Sequence, residues 1–96
     1  MEEIKRELIE LKFDISRIGF IYWIEAARVI KEDSLEMEIC KIYKIIADRY
    51  KTNSHKVESA MRKIIEPVEK NIQKKYGYTG KIKNKTFLNL IRLKLI

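Results

Sequence analysis

One cysteine, one proline, one histidine and three glycines in 96 residues exclude a good deal before any pattern is read. With Cys40 alone, no disulfide can close within the chain, and no CxxC pair exists for zinc or redox chemistry. Cys40 is expected to be a small core residue, and a reducing cytoplasm suits such a chain. The single His55 has no metal-ligand spacing around it, no nucleophile–base pair can be named, and no Gly-rich phosphate loop is present. An enzyme is therefore not expected, nor a cofactor, a metal or a small-molecule substrate. Scarce glycine and proline leave little material for hairpins or linkers, which favours helices. The longest apolar run, "IGFIYWI" from Ile18, falls far short of a membrane span, and the acidic opening "MEEIKRELIE" is not a signal peptide.

What is present is globular in composition, 46% apolar and 36% charged. The length fits one domain over 1–96, which should bury about 65% of its unfolded surface. The formal net charge of +7 is unevenly spread. Residues 1–48 hold 8 Lys and Arg against 11 Asp and Glu, a balance of −3, whereas residues 49–96 hold 13 against 3, a balance of +10. Such asymmetry points to a polyanionic partner for the second half. A lysine-rich solubility surface is the alternative.

Periodicity predicts an all-α chain, a small bundle of five to six helices. Ile4, Leu8, Leu11, Ile15 and Ile18 step by four and three, predicting a first helix over 2–18 with Gly19 as its stop. This stripe is read as packing onto the domain, with a dimer seam as the other use. A second helix, 19–33, carries Phe20, Tyr22 and Trp23, which suit a base-stacking platform but at helical spacing are read as core. Ser34 is the expected cap of a third helix over 35–50, with Glu36 and Glu38 in its first turn. Asn53 or Ser54 is the expected cap of a fourth, running to Glu66, with a kink at Pro67 and a continuation to Lys75. Residues 76–85 read as a loop, and 86–96 as a last apolar helix.

The third and fourth helices carry a more specific pattern. A small residue, Ala47, is followed ten positions later by an apolar one, Val57, and then by Ala60. This spacing lets two helices cross closely, as in a helix-turn-helix over about 36–66. Lys51 stands where many such turns have glycine. At about 100° per residue, His55, Glu58, Ser59 and Arg62 cluster opposite Val57, Ala60 and Ile64, with Lys56 and Lys63 flanking them. Arginine can pair with guanine, glutamate can accept from cytosine, serine suits either base type, and lysines suit phosphates. An ordinary solvated helix face would also be polar. The charge of the second half tips the reading toward nucleic acid.

Four stretches resemble the C-terminal effector domain of the stage 0 sporulation response regulators, which start endospore formation in Firmicutes. They are "GFIYWIEAARVI", "YKIIADRY", "TNSHKVESAMRKIIE" around Val57, Glu58, Ala60 and Arg62, and "YGYTGKIKNKTF" with Gly77, Tyr78 and Thr79. Together they cover most of residues 15–96. The resemblance implies an all-helical DNA-binding domain whose residues from His55 to Lys63 face bases and phosphates. It also implies that the loop near Lys81, Lys83 and Lys85 touches the backbone, on boxes resembling TGTCGAA that often occur in tandem. Ser59 stands where the family usually has an arginine, and Lys63 where it has a histidine, so the resemblance does not fix the target sequence. The loop between the first two helices looks shortened at Gly19–Phe20. Family regulators also carry a phosphorylated receiver domain. No strand–helix alternation of that kind is found here, so switching by the chain's own phosphorylation is not expected. The leading expectation is thus a stand-alone DNA-binding transcriptional regulator in the cytoplasm, acting on double-stranded DNA as a homodimer or in tandem. The alternative is a protein-interaction module or dimerising antagonist, using the Ile4–Ile18 stripe or the "FLNLIRLKLI" tail.

Overall fold

The computed structural model describes residues 2–34 and 36–95, with the side chain of Leu95 left aside. Leu35, the expected start of the third helix, and Ile96, the expected end of the last, lie outside the described residues. Six α-helices follow one another: α1 (Glu2–Glu10), α2 (Ile18–Glu32), α3 (Ile39–Arg49), α4 (Ser54–Ile65), α5 (Glu69–Tyr76) and α6 (Asn84–Leu95). A single 3-10 turn at Glu66–Val68 holds Pro67 and joins α4 to α5 where the kink is expected. No strand occurs among the described residues.

The first expected helix does not reach Ile18. It ends after Glu10 in a left-handed cap: Lys12 has φ +73°, its N–H reaches the Ile9 carbonyl at 3.0 Å, and the Phe13 N–H reaches the Leu8 carbonyl at 3.0 Å. The turn swings Phe13 into the core, stacked on Phe87 with ring centroids 5.4 Å apart. Ile4, Leu8 and Leu11 stay buried, while Ile15 and Ile18 are 64% and 47% exposed. The stripe is therefore broken in two, and its buried half is not free to form a dimer seam. Gly19 does not stop a helix. It lies in the first turn of α2, where a Cβ would sit 2.5 Å from the Ala60 carbonyl oxygen, so only glycine lets α2 approach α4 this closely.

Phe20, Tyr22 and Trp23 are buried, as the core reading expects. Trp23 packs edge-on to Phe87 at 4.9 Å, and its indole N–H donates to the Met61 carbonyl at 3.0 Å, so the polar end of this buried ring is satisfied. α3 starts later than expected. Its N-cap is Glu38, without a side-chain bond, and the Ser34 hydroxyl instead accepts from the Glu36 N–H at 3.2 Å, outside any helix. Glu36 and Glu38 consequently precede the helix. Cys40 is exposed on the first turn of α3 rather than buried, because the core face of that helix is taken by Ile42, Tyr43, Ile46 and Ala47. The last helix forms with Phe87, Leu88 and Ile91 inward, and Leu93 is left 70% exposed.

The two ends of the chain meet at a buried carboxylate. Glu7 of α1 accepts from Lys75 at 2.9 Å and from the Tyr76 hydroxyl, both on α5, and pairs with Lys94 of α6 at 3.4 Å. Burial would raise its pKa, but the Tyr76 and Lys75 hydrogen bonds and the two ammonium groups outweigh burial and bring it below the ordinary 4.5.

Candidate nucleic-acid interface

α4 is held from one side and open on the other. Asn53 caps it, its Oδ1 accepting from the Lys56 N–H at 2.9 Å. The turn before it, residues 50–53, bends at Lys51, which has φ +53°, with the Thr52 N–H reaching the Ala47 carbonyl at 2.9 Å. The position that often carries glycine is thus left-handed here too, adopted by a lysine. Val57, Met61, Ile64 and Ile65 are buried against α2 and α3, and Ala60 is half-buried beneath Gly19. On the opposite face His55, Lys56, Arg62 and Lys63 are exposed, and Glu58 and Ser59 half-buried.

Three of these side chains engage one another. Arg62 Nε donates to Glu58 Oε2 at 3.2 Å, and its Nη2 lies 3.5 Å from Ser59 Oγ. An exposed pair of this kind contributes only about 0.3–0.5 kcal/mol, so a ligand with better geometry can draw the guanidinium away.

The loop after α5 is pinned beside this face at three points. Gly77, φ +65°, ends α5. Gln73 Nε2 donates to the Gly80 carbonyl at 2.9 Å, and the Ile82 N–H donates to Glu69 Oε2 at 2.8 Å. Asn84 Nδ2 donates to the Tyr43 hydroxyl at 3.0 Å and to the Glu58 carbonyl at 3.1 Å, tying the start of α6 to both α3 and α4. Burial is the main cause that raises the Tyr43 pKa above 10.0, so its hydroxyl stays neutral in this contact. The result is a groove along one flank of α4, lined by Glu58, Arg62, Glu66, Glu69, Lys81 and Lys83 among others. Lys85 does not line it. That lysine borders adjoining hollows, with Tyr78 and Asn89 on one side and Glu38 and Cys40 on the other.

Sequence reasoning missed the other flank. A second shallow groove is lined by His55, Lys56, Ser59, Ala60 and Lys63 together with Arg17, from the turn between α1 and α2. The only signal for Arg17 was its place two residues before Gly19, and without the close approach of α2 to α4 that signal had no meaning.

Among the described residues no group of three or more His, Cys, Asp or Glu is placed to hold a metal ion, and no helix is long and apolar enough to cross a membrane. Comparison with protein-family models matches residues 4–95 to the family described as "Sporulation initiation factor Spo0A C terminal". Comparisons with curated proteins and with solved structures return no match.

Proposed function

The chain belongs to the Spo0A C-terminal family, a family of DNA-binding effector domains of sporulation regulators, and on that premise we propose that it is a stand-alone transcriptional regulator that inserts α4 into the major groove. In this reading α3 and α4 act as a helix-turn-helix within one domain. His55, Glu58, Ser59 and Arg62 face base edges, and Lys56 and Lys63 meet phosphates. Lys81 and Lys83 hold the backbone from the loop, and Lys85 reaches it from the first turn of α6. The observation that carries the reading is the exposed polar face of α4, with a lysine-bearing loop fixed alongside it by Asn84, Glu69 and Gln73. A plain solvated surface would not need its neighbouring loop anchored at three points. The family describes DNA-binding domains rather than enzymes, which fits a face built from charge and hydrogen-bond donors.

Fluorescence anisotropy on a tandem TGTCGAA-type duplex and a scrambled one, each at two salt concentrations, tests this. Binding should weaken with salt at about −0.9 in log–log slope per phosphate contact. An Arg62→Ala, Lys63→Ala double variant should lose discrimination worth about 1–3 kcal/mol. Wild-type affinity in that variant would sink the proposed mode. Equal, salt-sensitive binding to both duplexes would keep DNA as the partner and move the target sequence away from the family box.

A further inference from the structure

The two flanks of α4 differ in charge. The loop-side groove mixes Arg62, Lys81 and Lys83 with three carboxylates, of which Glu58 is engaged with Arg62 and Glu69 with the Ile82 N–H. On the other flank Arg17, His55, Lys56 and Lys63 line a groove with no carboxylate among its walls. Arg17 is exposed and makes no salt bridge among the described residues. The nearest acid in sequence, Asp14, feels the Arg17 charge but forms no ion pair with it, its Oδ1 being taken by the Ser16 N–H at 3.0 Å and the Ser16 hydroxyl at 2.6 Å. That short turn, together with Gly19 seated on the Ala60 carbonyl, fixes where the chain passes α4 and so where Arg17 stands.

A helix lying in the major groove has a sugar–phosphate backbone on each side, because the groove is about 12 Å wide. We infer that Arg17 is a DNA-contacting residue that binds a backbone phosphate on the strand opposite the one held by Lys81 and Lys83, so that the two flanks bracket α4 in the groove. The inference rests on the reading of α4 as the groove-entering helix. Arginine suits the task, since its planar fork can take a phosphate oxygen pair. The α1–α2 turn thereby becomes a third DNA-contacting element, placed by packing rather than by the helix-turn-helix pattern.

The test compares wild type, Arg17→Ala, Arg17→Lys, Lys83→Ala and the Arg17→Ala, Lys83→Ala double variant on the same box and scrambled duplexes over a salt series. The expected result is a log–log salt slope reduced by about 0.9 in Arg17→Ala and by about 1.8 in the double variant. Affinity should fall by the same factor on both duplexes, and Arg17→Lys should restore the slope. An unchanged slope in Arg17→Ala overturns the inference, as does weakening confined to the box duplex, which would mean base reading. A double variant no weaker than either single one overturns the bracket, since the two residues would then share one phosphate. Wild type that binds neither duplex would instead remove the reading of α4 itself, an outcome distinct from all of these. Unfolding is monitored by helical circular dichroism on each variant. Arg17 is exposed and its side chain makes no capping hydrogen bond on α2, so a lost helix signal in Arg17→Ala would also overturn its assignment as a surface DNA contact.

Discussion

Around Glu7 and along α4 the chain puts the same kinds of charge to opposite uses. At Glu7 a carboxylate, 4% exposed, gathers two lysines and a tyrosine from α5 and α6, and Glu10 takes a second bond from Lys75, so two acids balance two cations. On α4 the cations outnumber their partners, and the one pair formed, Arg62 with Glu58, is open to solvent. The first arrangement ties the fold together. The second leaves positive charge unspent, where a polyanion can take it. Net charge therefore says little by itself, and what matters is which cations lack a nearby acid.

The comparison can be broken most forcefully at Glu7. Glu7→Gln should cost about 2–3 kcal/mol of stability in urea unfolding at pH 7, from lost charge-assisted hydrogen bonds, with DNA affinity unchanged. The pH dependence has a definite sign. The folded pKa lies below 4.5, so this stability is present above the unfolded value and is lost as pH falls through the lowered folded value. The gap between wild type and Glu7→Gln should accordingly shrink in unfolding curves taken at progressively lower pH below 4.5. A gap that stays constant into acid would mean the carboxylate's charge is not what holds the helices.

Gly19→Ala is the next largest change and blurs the separation between the two regions. The new Cβ would meet the Ala60 carbonyl at 2.5 Å and Ile64 Cγ2 at 3.1 Å. Overpacking should outweigh the better helix propensity, for a net loss of about 1–2 kcal/mol. Because the contact sets α2 against α4, DNA affinity should fall as well. A stability loss with unchanged affinity would show that the α1–α2 turn plays no part in binding. Asn84→Ala should cost about 1 kcal/mol in thermal or urea unfolding and free the loop from α4, lowering the salt slope of DNA binding while sparing sequence preference. The smallest effect is expected from Lys12→Gly. Relief of a left-handed lysine should raise stability by about 0.5–1 kcal/mol in urea unfolding.

Most helices are legible in the sequence, and their boundaries less so. α4 was readable because Asn53 announces its start and Val57, Met61 and Ile64 mark one face. α1 ends sooner than its stripe predicts because its stop is a left-handed lysine, not a glycine, and because Ile15 and Ile18 continue the stripe after the backbone has turned. Phe13, the residue that makes the turn worthwhile, falls off that stripe and pairs with Phe87 far away in sequence. Ser34 looked like a cap because local sequence cannot tell a helix start from a free turn. Cys40 was expected inside on composition alone, yet the face it occupies points outward. On the candidate site, the polar face was visible from spacing. The anchoring of Lys81 and Lys83 through Asn84, Glu69 and Gln73, and the arrival of Arg17 on the far flank, depend on contacts between elements and leave no periodic trace.

The clasp at Glu7 also sets an order of events. Its partners Lys75 and Tyr76 lie 68 and 69 positions along the chain. Closing so long a loop is slow to reward, whereas α3, its turn and α4 meet through neighbouring sequence. During synthesis α1 emerges first and can pack on α2, but its Glu7 has no partner until Lys75, Tyr76 and Lys94 follow on α5 and α6. The α3–α4 pair should thus condense early, and the outer helices should lock last, so that substitutions at Glu7 speed unfolding while leaving the folding rate nearly unchanged.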